Sequence, residues 1–187
     1  MKQIAIFASG NGSNARKIID YFAMHPAIRV AMVISNRSDA PVLAAAAERG
    51  VETLVIQRTQ FYQSQSLLEI LQNHEVDFIV LAGFMWLMPN YLVNAYAGKI
   101  VNIHPALLPK YGGKGMYGMH VHEAVKAAGE QESGITIHYV NEHYDEGEII
   151  FQATCTIAPD DTPQEIGRKV QVLEHQHFAP VIESILT

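Results

Sequence analysis

The strongest constraint in the sequence is a repeated alternation of two kinds of segment. Short apolar runs rich in β-branched residues span Ile4 to Ala8, Val30 to Ser35, Glu52 to Ile56, Phe78 to Ala82 and Ile100 to Ile103, bounded by Gly, Asn or Pro. They have the length of strands and read as runs rather than strict alternations, as strands covered on both faces do. Between them, Asn14 to Met24, Ala40 to Arg49, Phe61 to His74 and Pro89 to Ala97 place apolar residues at helical spacing. Such repetition predicts parallel strands joined by right-handed helical crossovers.

The second half breaks the pattern. Gly134 to Val140 and Gly147 to Ile157 are strand-like, and the polar segment between them is too short for a crossover helix, so an antiparallel hairpin is expected. Asp161-Thr162-Pro163-Gln164 offers an N-cap and an early-helix proline, opening a final helix that runs to Ser184. The expected fold is α/β and Rossmann-like: a mostly parallel sheet flanked by helices, with a C-terminal antiparallel hairpin, and residues 1–187 forming one domain. With 49% hydrophobic and 17% charged residues, the chain has the apolar surface one core needs and lacks the composition of a disordered segment.

Charge and hydropathy narrow the function classes. A net charge of -6 leaves no broad basic footprint for nucleic acid, whose binding is dominated by Lys and Arg on phosphates. The apolar runs fall far short of the roughly 20 residues that cross a bilayer. Met1-Lys2-Gln3 leads straight into the first strand without a secretory signal, and Cys155, the only cysteine, cannot form an intrachain disulfide. A cytoplasmic protein acting on small molecules, with neither nucleic acid nor membrane as partner, is expected.

Two segments carry the candidate chemistry. Ser9-Gly10-Asn11-Gly12-Ser13-Asn14 lies between the first strand and the first helix, where backbone N–H groups and the positive end of the helix dipole favour an anion. The segment matches the dinucleotide pattern G-x-G-x-x-A, but the second strand ends at Ser35-Asn36-Arg37 without the acidic residue that holds a ribose, and no Walker lysine follows. A phosphorylated small molecule fits better, and a tight structural turn accounts for the segment equally well.

The second segment, Asn102-Ile103-His104-Pro105, ends the fifth run at the carboxyl edge of the sheet, where ligands of open α/β sheets gather. Residues two apart on a strand face one side, so the Asn102 amide and the His104 imidazole can address one reacting atom. Together they suit an oxyanion and a proton transfer near neutral pH. The loop Asn141 to Gly147 supplies Glu142, Asp145 and Glu146, any of which is chemically able to hold an imidazolium and raise its pKa. His120 with His122 and His175 with His177 invite a metal, but pairs spaced by two share a ligand only on an extended segment, and no metal is expected.

The Ser9 to Asn14 turn, Leu81-Ala82-Gly83-Phe84-Met85, and Asn102-Ile103-His104-Pro105-Ala106-Leu107-Leu108-Pro109-Lys110-Tyr111 together resemble the phosphoribosylglycinamide formyltransferase family, folate-dependent enzymes of purine synthesis. The resemblance continues through Gly134-Ile135-Thr136-Ile137-His138, Asp145-Glu146-Gly147 and Val170 to His175. It implies transfer of the formyl group of 10-formyltetrahydrofolate to the amine of glycinamide ribonucleotide through a tetrahedral adduct, with no metal. It implies Asn102, His104 and Asp145 as catalytic residues, Asp145 keeping His104 charged. Gly12, Ser13, Asn14, Gln171 and Glu174 are implied at the ribonucleotide. Met85, Trp86, Leu87 and Met88, with Asn102, Asn141 and Asp145, are implied at the folate.

The family resemblance has departures. Trp86 stands where well-known bacterial members carry Arg, and Gln60-Phe61-Tyr62 does not supply the second Arg those enzymes use, so recognition of the folate glutamate tail is expected to differ. Gly113 to Gly118 is longer than the usual connection and suggests a lid. A formyltetrahydrofolate hydrolase shares the Asn, His and Asp set, but an N-terminal regulatory domain is expected there and the first strand here begins at Gln3. Self-association no larger than a homodimer is expected.

Overall fold

The computed structural model describes residues 1–187 and builds one seven-stranded sheet in the order β3-β2-β1-β4-β5-β6-β7. The strands are β1 (Lys2–Phe7), β2 (Ile28–Ser35), β3 (Glu52–Val55), β4 (Val76–Leu81), β5 (Ile100–His104), β6 (Glu132–Tyr139) and β7 (Ile149–Thr156). All pairings from β3 across to β5 are parallel, and β6 pairs antiparallel with both β5 and β7. This is the expected mostly parallel sheet with its C-terminal hairpin, and the strand ends lie within two residues of those read from the sequence.

Burial explains why the first strands are runs. Ile4, Ala5, Ile6, Phe7 and Ala8 are all fully buried, with alternate residues serving opposite faces. Ile4, Ile6 and Ala8 join the layer of α1 (Ser13–Phe22), α2 (Pro41–Ala47) and α7 (Pro163–Leu186), packing with Ile18, Phe22 and Phe178. Ala5 and Phe7 face the other layer, where Phe61 of α3 (Arg58–Gln63), Leu67 and Leu71 of α4 (Ser66–Asn73) and Leu92 of α5 (Asn90–Ala95) close the core. The final helix opens with a full capping box: the Thr162 hydroxyl accepts from the Glu165 N–H, and the Glu165 carboxylate accepts from the Thr162 N–H.

Two elements differ from the sequence reading. The helix expected over Phe61 to His74 is two helices, because Ser64 adopts an extended conformation (φ -135°, ψ 153°) and its hydroxyl accepts the Ser66 N–H. A serine side chain competing for local backbone donors interrupts a helix at its weakest, all-polar stretch, Gln63 to Ser66. A further helix, α6 (Met119–Ala127), follows the glycine-rich segment, so His120 and His122 lie on a helix and point to different faces. No helix is long and apolar enough to cross a membrane.

The chain leaves β1 for β2 and β3 on one side and returns to β4 and β5 on the other, which puts the topological switch between β1 and β4. The carboxyl ends of β1, β4 and β5 therefore open onto one crevice.

Candidate active site

Three turns at that edge are locked together. The turn after β1 and the turn after β4 are joined by the Ser9 N–H donating to the Gly83 carbonyl at 3.0 Å and the Met85 N–H donating to the Ser9 hydroxyl at 2.9 Å. The loop after β5 is fixed by Thr136, which sits opposite His104 on β6; its hydroxyl accepts from the Leu108 N–H at 3.0 Å and donates to the Ala106 carbonyl at 2.7 Å. Between them lies a cleft of about 950 Å³.

One end of the cleft presents the N-terminus of a helix. Gly12 takes a left-handed conformation (φ 69°) to start α1, and a Cβ there would overlap the Val42 side chain, so only glycine fits. No side chain caps α1 and its first turn holds no acidic residue, so the positive end of the helix stays available where Gly12, Ser13, Asn14 and Arg16 line the cleft. Helix α7 closes this end: the Asn14 amide donates to Glu174 Oε2 at 3.0 Å, and the Gln171 amide donates to the Ser13 hydroxyl at 3.3 Å. Burial raises the Glu174 carboxyl above its ordinary range, against the opposing hydrogen bond from Asn14. All five residues assigned to the ribonucleotide are thus brought together.

The middle of the cleft holds the reactive cluster. Asn102 and His104 both line it from β5, as two-residue spacing predicts, and the antiparallel register puts His138 beside Asn102. Of the four carboxylates in the β6–β7 loop, only Asp145 turns inward; Glu142, Glu146 and Glu148 are exposed. Asp145 does so in a left-handed backbone conformation (φ 56°), next to Gly147, where a Cβ would overlap the Tyr139 carbonyl. Its Oδ2 accepts the Gly113 N–H at 2.9 Å and lies 3.5 Å from His104 Nδ1, while Oδ1 accepts from the Asn102 amide at 3.4 Å and lies 3.6 Å from His138 Nε2.

Hydrogen-bond chemistry fixes the roles. His104 Nε2 is 2.7 Å from the Tyr111 carbonyl, which can only accept, so Nε2 carries a hydrogen. His138 Nδ1 likewise donates to the Tyr139 carbonyl at 2.8 Å, and its Nε2 faces both the Asn102 amide nitrogen at 3.2 Å and Asp145 Oδ1 at 3.6 Å. The His104 and Asp145 side chains are 4% and 10% exposed, so burial acts on the charge of both. Burial pushes the His104 imidazole down, outweighing the lift from Asp145 and from the Tyr111 carbonyl. Asp145 does lift the imidazole, as expected of a carboxylate beside it, but does not offset burial, so the ring is not kept charged at rest. For Asp145 burial works upward, but His138, the His104 charge and the Gly113 N–H together hold the carboxyl below its ordinary range.

At the third end, Met85, Trp86, Leu87 and Met88 all line the cleft, and Trp86 packs among Phe61, Tyr62 and Phe84 with ring centroids 5.5 to 6.1 Å apart. Asn141 does not join them. Its carboxamide oxygen turns to accept the His143 N–H at 2.9 Å, so the folate role expected for it has no support in its position outside the cleft wall. The sequence reading missed His122, buried on α6 with Nδ1 unpartnered, and Tyr144, both of which line the cleft. The spacing His120-Val121-His122 held no signal separating a ligand-facing ring from a surface one. His175 lines the cleft while His177 packs against Phe151 at 4.9 Å, and no group of three or more His, Cys, Asp or Glu is arranged to hold a metal ion.

The formyl transferase family model matches residues 2–182. The chain belongs to that family. Among family members, the chloroplastic phosphoribosylglycinamide formyltransferase of Arabidopsis thaliana is 39% identical over 190 residues, covering 98% of this chain and 65% of the relative. The phosphoribosylglycinamide formyltransferase of Bacillus subtilis is 36% identical over 191 residues, covering 100% of this chain and 95% of the relative. The chain thus spans less than two thirds of the length of the plant relatives, 65% and 61%, but nearly all of this bacterial one. Its fold superposes on the crystal structure of the Geobacillus kaustophilus glycinamide ribonucleotide transformylase 1 with a TM-score of 0.90 at 35% identity, covering 100% of both chains. The Anaplasma phagocytophilum phosphoribosylglycinamide formyltransferase gives a TM-score of 0.91 at 31% identity, covering 99% of this chain and 86% of the other.

Proposed function

We propose that this member of the family is a folate-dependent phosphoribosylglycinamide formyltransferase, carrying the sites for both substrates within residues 1–187 and acting as a monomer or homodimer. The observation that carries the reading is one cleft joining an uncapped helix N-terminus to the Asn102, His104 and Asp145 cluster. The α1 turn, with Arg16 beside it, receives the phosphate of glycinamide ribonucleotide, and Glu174 and Gln171 orient its sugar and amine end. The pocket lined by Met85 to Met88 receives 10-formyltetrahydrofolate.

The amine nitrogen attacks the formyl carbon and the carbonyl π electrons move to oxygen, giving a tetrahedral adduct. An amide N–H of Asn102 and an N–H of His104 stabilise that oxyanion, replacing the weaker contacts they make at rest. The attacking nitrogen loses a proton and the departing folate nitrogen gains one as the C–N bond to folate breaks, with His104 placed to carry a proton between them. Because burial disfavours the imidazolium, Asp145 acts when that charge appears, stabilising it across 3.5 Å. His138 holds the Asn102 amide in register.

The test is formation of formylated ribonucleotide and tetrahydrofolate by the purified protein supplied with both substrates. Absence of that product refutes the reading. Release of free formate without the amine points instead to a hydrolase, in which water attacks the same carbon.

A further inference from the structure

The two edges of the sheet are finished differently. At one edge β3 is four residues long and opens on Glu52, whose carboxylate lies 3.2 Å from the His74 ring, so the strand it offers is short and charged. At the other, β7 is eight residues long, and from Ile149 to Ile157 the chain holds no charged residue and no proline. Short length, charge and proline are the devices that keep an exposed edge from pairing with another strand. β7 has only a bulge at Ile150, near its start, beyond which Phe151 to Thr156 stay in unbroken register with β6.

No loop or terminus of the chain covers this edge. Among the backbone hydrogen bonds made outside helix and strand pairing, none begins or ends at residues 149–156. Of the side chains, only Lys169 reaches a carbonyl of the strand, that of Thr156, with Nζ at 3.2 Å. The other outer N–H and C=O groups of β7 form an open ladder. Its exposed side chains, Gln152, Thr154 and Thr156, are uncharged. On α7, Val172 is 63% exposed and follows Lys169 by three positions, which puts it in the row of the helix that borders the strand.

We propose that β7 is the edge on which a second copy of this chain pairs, antiparallel and across a two-fold axis, joining two seven-stranded sheets into one. The pairing is independent of the formyl-transfer reading. An uncharged strand is complementary to itself, since no like charges meet when it is laid antiparallel on its own copy. A two-fold through Ala153 or Thr154, the middle of the regular stretch, sets Thr154 opposite or diagonal to its counterpart. An axis normal to the sheet keeps both α7 helices on one face, so the two Val172 rows approach each other over the seam. It also leaves the guarded β3 edges at the outer ends, where assembly stops at two copies. Paired edges and helix rows together bury on the order of 1,000 Å², the lower range of specific interfaces, so the dimer is reversible and depends on concentration.

The experiment is sedimentation equilibrium of the full chain from low micromolar to submillimolar concentration, where the parent is expected to pass from monomer to dimer. Thr154→Lys and Thr154→Glu each weaken association by roughly tenfold or more, because like charges then face each other across the axis. Mixing the two variants restores the dimer, which also shows that both are folded. Thr53→Lys, at an exposed position on β3, leaves association unchanged. A parent that stays monomeric throughout overturns the proposal. So does a dimer that persists in Thr154→Lys, since its interface then lies on another surface, and so does growth beyond two copies, in which β7 meets a different edge. Because association is read without substrates, its absence leaves the formyl-transfer reading standing, and absence of formyl transfer leaves the dimer standing.

Discussion

Asp145→Asn isolates the charge that the proposed mechanism asks for. Asparagine keeps the shape of the side chain and an oxygen to accept the Gly113 N–H, so the substitution removes the negative charge together with the weak acceptor that the Asn102 amide meets at 3.4 Å. At the observed 3.5 Å between Asp145 Oδ2 and His104 Nδ1, a full charge pair is worth about 5 kcal/mol at an effective dielectric of about 20. Water in the cleft reduces this, and about 2 to 4 kcal/mol of lost transition-state stabilisation corresponds to roughly 30- to 1,000-fold in kcat. Since burial already pushes His104 toward the neutral form, nothing else near it replaces the lost charge. The assay is steady-state formylation across pH 6 to 9, with thermal unfolding of the variant to confirm its fold. The expected result is a kcat loss in that range, with KM for the ribonucleotide changed less than about threefold, as loss of a purely transition-state interaction requires. In a His104→Ala background the same substitution should add little, because the two residues act as a unit. A kcat loss below fivefold, or full additivity with His104→Ala, would refute the assigned role.

Gly12→Ala should cost both stability and acceptor binding, because the left-handed backbone and the overlap with Val42 together amount to about 2 to 4 kcal/mol; thermal melts and ribonucleotide KM measure it, and Val42→Ala should recover only part of the loss, since the Val42 Cβ itself lies 2.5 Å from the added methyl and the backbone preference is unchanged. Glu174→Gln should stabilise the ligand-free protein by about 1 kcal/mol while weakening ribonucleotide binding, since burial raises the Glu174 carboxyl and an amide avoids placing a charge there. Stability should fall as pH drops below the ordinary histidine value of 6.5, because burial lowers His104, His122 and His175 and the unfolded chain then binds more protons than the folded one. The Asp145 carboxyl, held low, extends the loss below the unfolded carboxylate range. A melting temperature that stays flat from pH 7 to 5 would contradict this, and His122→Phe should shallow the slope.

The sheet was legible because its central strands are buried on both faces, which leaves apolar runs such as Ile4 to Ala8 that no surface helix would show. Asn102 and His104 were legible for a related reason: strand periodicity places them on one side, and strand order places them at the ligand edge. Asp145 was not, since Glu142 and Glu146 offer the same chemistry, and the choice is made by a left-handed residue within a loop, a local property with weak sequence signal. Family resemblance named Asp145, as it named Gln171 and Glu174 on a distant helix. The direction of the His104 shift was hidden because burial is a property of the assembled fold. The break at Ser64 and helix α6 escaped because a polar serine tract and a glycine-flanked, histidine-rich stretch compete closely between helix and loop.

The bond between Asn14 and Glu174 joins residues 160 positions apart. During synthesis, the cleft end formed by Asn14 and Glu174 therefore stays unfinished until α7, far along the chain from the α1 turn, has emerged and docked. Contacts of such long sequence separation must offset a large loop-closure entropy, so the proposed affinity for the ribonucleotide depends on α7 being docked. A ligand bound there would stabilise the state with α7 docked by mass action. On the proposed function, availability of the acceptor becomes a factor in how long the folded protein persists.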